Sequence, residues 1–523
     1  MTLLTSKEMG IEGRAAAREL GALSATTIVA GSMVGSGIFI VSADISRQVD
    51  SPALLLMAWI ITAIMTMIGA LSYGELAAMM PRAGGQYVYL REAFGPLCGF
   101  LYGWTLLLII QTGTIAAVGM AFGKFFGLFV PAISSQRWLF HLGHIPLVQL
   151  GPVAMGNIEV GLNTVNLTAI IVLGILTLVN ILGVRQGATL QNVFTAAKIL
   201  ALALLVLVGA VAGRNASAIA ANFGQGEASF WRHFSIHATF ATGSVNSSGI
   251  HWVGVLTILG IVQVGSLFSA DAWNNVTFIA GEVRNAKKNL PLALIVGTGT
   301  VLTLYLLVNI IYLCVLPLHG NPVAATAIGR GIQYASEDRV ATAVLEQIIP
   351  SGSAVMAVVI LISTFGCANG MILAGARVVQ AMSNDGLFFV TAGRINSKFG
   401  TPVTALVLQF VWTTALCLSG SYGQLLDYTM FAALLFYILT LAGLIVLRIR
   451  RPDAPRPYRA LGYPVLPLVY IAMAGWICLT LLRYKPQFTW PGLALVLLGV
   501  PVYYFWSRRH GVPGGLEPVE KRH

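Results

Sequence analysis

Apolar residues in this chain run in long unbroken stretches, rather than alternating in twos or marking one stripe of a helix. Twelve stretches approach or exceed the roughly 20 residues that cross a hydrocarbon core: 21–43, 53–79, 94–127, 164–183, 190–213, 252–281, 290–317, 353–383, 402–419, 423–449, 463–482 and 489–507. Transmembrane strands are shorter and alternate apolar with polar, so strands are not expected in these runs. A helical bundle, which satisfies its backbone polar groups internally, is the structure that lipid allows. The pattern predicts an all-α integral membrane protein with 12 transmembrane helices.

Two of the runs are interrupted. The first contains Gly31-Ser-Met-Val-Gly-Ser-Gly-Ile-Phe39. Glycine costs about 1 kcal/mol relative to alanine in a helix interior, so this cluster marks either a close helix crossing or an unwound stretch lining a polar cavity. The density of the cluster, with Ser36 at its centre, favours unwinding. Unwinding would leave N–H groups near Ser36 and Gly37 to face a carboxylate, and carbonyls near Met33 to face an ammonium. The sixth run carries Ser266-Leu-Phe-Ser-Ala-Asp271-Ala-Trp-Asn-Asn275. An acid and two asparagines at membrane depth point to function. Paired interruptions in corresponding halves are the mark of an inverted-repeat transporter.

Composition agrees. Hydrophobic residues make up 57% and charged residues 10% of 523, against about 25% charged in soluble domains, and the mean hydropathy is +0.80. A soluble enzyme, a disordered chain and a disulfide scaffold are excluded. The net charge of +12 does not imply a nucleic-acid partner, because the basic residues sit in short clusters between apolar runs. With the N-terminus inside, 20 Lys and Arg fall on the cytoplasmic side, 8 outside and 3 within runs. The positive-inside rule therefore predicts cytoplasmic termini and a multi-pass protein of the cell membrane. No cleavable leader is expected, since the first 20 residues are polar and mixed in charge. The five cysteines show no metal or redox spacing, so no metal or cofactor is expected. Six of the eight histidines fall in the long connections, where surface roles are expected.

Six stretches in order give the chain a family likeness: GSMVGSGIF (31–39), SYGELAAMMPRAGGQYVYLREAFG (72–95), LQNVFTAAKILAL (190–202), LFSADAWNNVTFIAGEVRNAKKNLP (267–291), FGCANGMILAGARVVQAMSNDG (365–386) and RPDAPRPYRALGYPVLP (451–467). The chain resembles the amino acid–polyamine–organocation superfamily and, within it, the L-type amino acid transporter family. The likeness covers almost the whole chain. It implies a five-plus-five inverted repeat with helices 1 and 6 broken and two extra C-terminal helices. The divisions expected are an N-terminal tail (1–20), a first repeat (21–213), an extracellular connection (214–251), a second repeat (252–449), a cytoplasmic linker (450–462), helices 11 and 12 (463–507) and a C-terminal tail (508–523).

The resemblance also implies site residues. Met33, Gly35, Ser36 and Gly37 would bind the amino and carboxylate groups of one amino acid through the backbone. Phe268, Ser269 and Ala270 would lie on the facing broken helix, Phe268 as an aromatic gate, and Trp273 would line the side-chain pocket or pack in the core. The family often has an aromatic residue where Ala270 stands and glycine where Ala272 stands, which changes the shape of the gate. Lys198 occupies the position of a family lysine on helix 5. Its ammonium would stand where sodium-coupled transporters of this fold bind a cation, touching carbonyls of the broken first helix; snorkelling is the alternative. Asp271 would carry a proton or cap the half-helix that follows it.

Other charges read mostly as structural. Glu75 and Arg377 are expected to snorkel or pair at helix ends, with an inner gate network as the alternative, Glu282 to be a solvated helix-end charge, Lys124 to snorkel, and the Arg448–Arg451 cluster with Arg456 and Arg459 to set topology. Loop 128–163 lacks the cysteine by which heteromeric members of the family join a heavy chain, so no disulfide-linked partner is expected; a stand-alone, prokaryote-like permease fits better. The predicted function is secondary transport of L-amino acids, most simply neutral ones, by sodium-independent exchange or facilitation within the lipid bilayer. A proton-coupled or cationic amino acid or polyamine permease is the alternative. A membrane enzyme is disfavoured, because no nucleophile–base pair, H-E-x-x-H or G-x-S-x-G stands at membrane depth.

Overall fold

A computed structural model describes residues 20–145, 148–150, 153–155, 158–224, 230, 235–240, 243–248, 252–419 and 422–510. Among these, ten helices are long and apolar enough to cross a membrane, and two shorter apolar helices, Gly254–Ser269 and Val403–Leu418, stand at the sixth and ninth places. The spans are numbered 1 (Ala22–Met33 and Gly37–Val49), 2 (Pro52–Met79), 3 (Pro96–Phe126), 4 (Thr164–Leu182), 5 (Val184–Val211), 6 (Trp252–Ser269, then Asn275–Phe278), 7 (Ala286–Val315), 8 (Gly352–Asn384), 9 (Val403–Leu418), 10 (Tyr422–Arg450), 11 (Val465–Tyr484) and 12 (Pro486–His510). The helical membrane fold read from the sequence is the one observed. Of the tails expected at 1–20 and 508–523, residues 1–19 and 511–523 lie outside the described residues, as does much of the connection 214–251.

The bundle is apolar outward as well as inward. Leu200, Leu207, Val211 and Leu479 are exposed on its flanks, whereas polar side chains such as Ser36, Gln263, Asn309 and Asn369 are buried. That inversion suits a lipid solvent, in which polar groups find partners only inside the protein.

Spans 1 and 6 are the broken pair. Span 1 stops at Met33, passes through Val34–Ser36 and restarts at Gly37. Span 6 stops at Ser269 and resumes as the short helix Asn275–Phe278. The first half of span 1 packs on the second half of span 6, and the second half of span 1 on the first half of span 6. The two broken helices therefore run antiparallel with their breaks at one level.

The connections hold a feature that hydropathy could not announce. Trp138–Ile145 pairs antiparallel with Ile158–Asn163, Val148–Leu150 with Val153–Met155, and Ser235–Phe240 with Gly243–Ser248. These hairpins are short and lie between spans, so the sequence ruler for membrane crossings passes over them. Several ends also shift. Span 1 runs to Val49, beyond the expected 43, because Ser42, Ser46 and Arg47 belong to a buried or ion-paired face rather than to a loop. Span 7 begins at Ala286 because Asn285, in the left-handed conformation, starts it directly after the turn.

Candidate functional site

Breaking span 1 bares a run of carbonyls, and each finds a side chain. The Lys198 ammonium, buried on span 5, donates to Gly31 O, to Val34 O at 2.8 Å and to Ser363 O at 3.3 Å. The Cys367 thiol donates to Ser32 O at 2.9 Å. The Tyr305 hydroxyl lies 3.1 Å from Met33 O and 3.1 Å from Ser269 O, which ties the two breaks together. The Ser363 hydroxyl lies 3.0 Å from Val34 O and 3.2 Å from Gly35 O. Five consecutive carbonyls, Gly31 to Gly35, are thus held from spans 5, 7 and 8. Buried backbone acceptors require partners, and the unwound segment survives in the core because these side chains supply them.

The three glycines of the cluster divide their work. Only Gly35 lies in the non-helical stretch. Gly31 is still helical, and a Cβ there would lie 2.1 Å from both Gln191 Nε2 and Thr195 Oγ1 of span 5. A Cβ on Gly37 would lie 2.8 Å from the Ser269 Cα. The crossing and the unwinding that the sequence left as alternatives occur side by side. Ser36 precedes the second half-helix in the N-cap position without capping it through its side chain; its carbonyl accepts from the Phe39 N–H at 3.1 Å, and the N–H groups of Gly37 and Ile38 precede the first intrahelical acceptor.

On the facing broken helix, Phe268 and Ser269 end the first half of span 6 and Ala270 begins its break, all three buried, and Ser269 O shares the Tyr305 hydroxyl with Met33 O. Trp273 turns away toward spans 2 and 10, its ring 4.7 Å from Tyr73 and 5.6 Å from Tyr437, and Gly69 makes room for it. Ala272 has φ +64, a left-handed backbone that favours glycine. Asp271 does not cap the half-helix; Asn274 holds the N-cap position. Its carboxylate instead accepts from the Tyr437 hydroxyl of span 10. Among the described residues no basic side chain forms an ion pair with it.

Beyond the span 6 break lies a small cavity with room for about one water. Asp271, Ala272, Asn274, Asn275, Gln86 and Gln111 contribute to its wall. So do Leu106 and Ile110, the ends of a π-helical turn in span 3. The Thr112 hydroxyl donates to Leu107 O at 2.7 Å and steadies that turn. Such turns occur often at functional sites.

Both ends of the site are shut. At the end holding residue 20, Leu20 N donates to Glu282 O at 3.1 Å, and Arg284 N to Leu20 O at 2.8 Å. Arg377 Nε donates to Glu282 Oε1 at 2.7 Å, both side chains buried. Glu282 is therefore a buried gate partner, not the solvated helix-end charge the sequence suggested, because it ends a 3-10 turn, Ala280–Glu282, that follows the short helix and brings it against Arg377 of span 8. Of the two expectations for Glu75, pairing is the one observed and snorkelling is not. Its side chain is fully buried, gripped by Arg448 at 2.8 and 2.6 Å, by Arg456 at 3.3 Å and by the Ala460 N–H at 2.7 Å. Two arginines of the supposed topological cluster thus hold span 2, Arg448 from span 10 and Arg456 from the 451–464 segment. At the opposite end, Arg47 donates to Gln333 O at 2.7 Å and Asp338 at 2.6 Å. Asp50 accepts from Gln333 at 2.6 Å and from His319 at 2.9 Å. That hydrogen bond holds the His319 pKa above its ordinary value.

An antiparallel broken pair whose bared carbonyls are held by side chains, closed above and below, is a transporter's architecture, and comparison with known proteins agrees. The sequence profile of the family described as amino acid permease matches residues 20–502. The chain belongs to the amino acid permease family. This permease is 30% identical over 500 residues to the mouse large neutral amino acids transporter small subunit 2, covering 95% of this chain and 83% of that protein. It is 28% identical over 493 residues to the rat b(0,+)-type amino acid transporter 1, with 93% and 87% covered. It is 27% identical over 500 residues to the mouse Asc-type amino acid transporter 1, with 94% and 82% covered. The L-type likeness read from six motifs is borne out by these relatives. Sequence reasoning missed Tyr305, Ser363 and Cys367 as partners of the permease's unwound segment. Each sits in an apolar helix where one hydroxyl or thiol is unremarkable, and only their meeting with span 1 gives them a role.

Proposed function

We propose that this permease moves one L-amino acid per cycle across the cell membrane by alternating access, independently of sodium, as an exchanger or facilitator. The carrying observation is Lys198. A tethered ammonium occupies the carbonyls of the span 1 break, so no dissociable cation is needed to stabilise them, while the N-terminus of the next half-helix, at Gly37 and Ile38, favours a carboxylate. The substrate would bind through Met33, Gly35, Ser36 and Gly37 opposite Phe268, Ser269 and Ala270. Binding would bias the equilibrium between the closures at the two ends. The distribution of Lys and Arg supports cytoplasmic termini, and the cysteine-free loop 128–163 supports action without a disulfide-linked subunit. No residue is assigned to covalent catalysis, and no cofactor is invoked.

Asp271 favours a second reading. An intramembrane acid beside the cavity, joined to a tyrosine rather than a base, suits proton coupling or a cationic side chain. Uptake into proteoliposomes with a panel of labelled amino acids, with and without internal amino acid, sodium and a pH gradient, tests both. Sodium-independent uptake of neutral amino acids, accelerated by internal substrate, is expected. A strict sodium requirement overturns the Lys198 reading. Stimulation by a proton gradient that disappears in Asp271→Asn establishes the second.

A further inference from the structure

We propose that the hairpin between spans 3 and 4 is an interfacial anchor, with its exposed apolar edge seated among the headgroups and upper acyl chains of the adjoining lipid leaflet. The inference needs only that the chain spans a membrane and does not depend on what the permease carries.

The hairpin pairs Trp138–Ile145 with Ile158–Asn163. On its first strand Leu139, Phe140 and Leu142 are 53%, 59% and 66% exposed. Leu139 and Leu142 have no register partner, because the pairing shifts between Trp138 and Phe140 and again between His141 and Gly143. Bulges of this kind re-aim side chains, and here they leave three large apolar groups at the surface between positions 139 and 142. Leu128, Phe129 and Val130, where span 3 gives way to the hairpin, are exposed as well. A run of exposed apolar side chains outside the spans marks a contact surface.

The level of the hairpin identifies the contact. Its second strand runs straight into span 4: Asn163 pairs with Trp138 and also caps the helix, its side chain accepting from Asn166 N at 2.8 Å. Thr164, the first residue of the span, is pinned to the chain arriving from span 3. Its hydroxyl lies 3.1 Å from Ala132 O and 3.0 Å from Ser134 O, and its N–H donates to Arg137 O at 3.1 Å. Span 4 has 19 residues, a length of about 28 Å at 1.5 Å per residue, which matches a hydrocarbon core about 30 Å thick. Thr164 therefore marks the boundary of that core, and the hairpin is rooted there. Phe140 pairs with Leu162, two positions beyond Thr164, or about 7 Å of strand. The headgroup layer is roughly 5–8 Å deep on each side, so Phe140 does not clear it.

The hairpin also lies along the bundle instead of standing on it. Ile158–Asn163 packs on span 9, and Val153–Met155, further out in the same connection, packs on span 12. The apolar edge thus stays at interfacial depth, where aromatic side chains such as Trp138 and Phe140 are favoured. A protein partner standing in water would meet an edge raised above the headgroups, which so short a root does not provide.

The test is photocrosslinking of the purified full-length protein in vesicles of phosphatidylethanolamine and phosphatidylglycerol whose acyl chains carry tritium. Phe140→benzoylphenylalanine is compared with two standards of the same kind: Leu200→benzoylphenylalanine on the flank of span 5, and Val323→benzoylphenylalanine in the connection that carries His319, these positions being 61% and 86% exposed. Lipid label at Phe140 is expected to approach that at Leu200 and to exceed that at Val323 by about fivefold or more, as befits an interfacial residue. Should the first variant not fold, Leu142→benzoylphenylalanine replaces it with the same expectation. Label no higher than at Val323 overturns the anchor. Covalent dimers of the chain in place of lipid adducts, or adducts to another protein when cell membranes are irradiated, overturn it equally and assign the edge to a protein contact.

Discussion

Lys198 of span 5 donates from its ammonium to the Val34 carbonyl of span 1 at 2.8 Å, joining the unwound segment to a helix 164 positions away in sequence. The same ammonium reaches Gly31 O, one turn before. It therefore brackets the last helical turn and the first non-helical residue. Truncation at this position takes the charged donor from three buried carbonyls, Gly31, Val34 and Ser363, of which Val34 O keeps the Ser363 hydroxyl, a loss on the order of several kcal/mol in total. We expect Lys198→Ala to reduce uptake at least tenfold, and Lys198→Arg to restore little, because a planar fork does not fit a pocket closed by Gly366 and Phe194. Uptake in sodium-free and sodium-containing buffer should be equal in the unmodified protein. Full activity of Lys198→Ala would contradict the role.

The left-handed backbone at Ala272 makes a separate prediction. The φ of +64 costs an L-residue about 1–2 kcal/mol, part of which glycine regains at the expense of a more flexible unfolded chain. Ala272→Gly is expected to raise the melting temperature by about 1–3 °C, measured in detergent. An unchanged or lower value would mean that the methyl group packs in the cavity wall better than its backbone is strained.

The membrane class, the spans and the two breaks are legible in sequence because each is a run or an interruption within a run. Gly31, Gly37 and Asp271 stand out against apolar neighbours for that reason. What closes the ends is not legible. Glu282 and Glu75 look like ordinary helix-end charges, since their burial depends on where spans 8 and 10 bring Arg377 and Arg448. Asn274 outranks Asp271 as the cap for a similar reason: the turn between them, four residues long and left-handed at Ala272, fixes which side chain precedes the helix.

The buried pair Arg377–Glu282 yields a third prediction. Removing one partner of a buried ion pair leaves an unmatched charge and costs about 3–5 kcal/mol, whereas removing both is far milder. Arg377→Ala should therefore loosen the closure at Leu20 more than the double variant Arg377→Gln with Glu282→Gln. Thiol labelling of a cysteine placed at Leu20 reads this directly. Faster labelling in the single variant than in the double is expected, and equal labelling in both would remove the pair from the gate.

The opposite closure is tuned by pH through His319. Its partner Asp50 ends span 1 in a left-handed conformation and also accepts from Gln333, while Arg47, Asp44 and Asp338 lie in the same network. Because the hydrogen bond to Asp50 raises the His319 pKa in the closed form, protonation strengthens this contact. The direction follows from linkage. The added stability of closure is fully present below the ordinary histidine value near 6.5, and it is lost as pH rises through the raised value. Half of the imidazole is exposed, so solvent and salt screen the effect to a modest one. Opening at this end should be severalfold slower at pH 6 than at pH 8 wherever it limits turnover. His319→Gln keeps a donor for Asp50 but no titration, and its uptake should become flat across that interval. Raising the salt concentration should compress the pH dependence of the unmodified protein toward that of the variant, because the added term is an interaction between exposed charges. Uptake that slows as pH rises, or an unaltered pH profile in His319→Gln, would assign the dependence to another group, with Asp271 the first to examine.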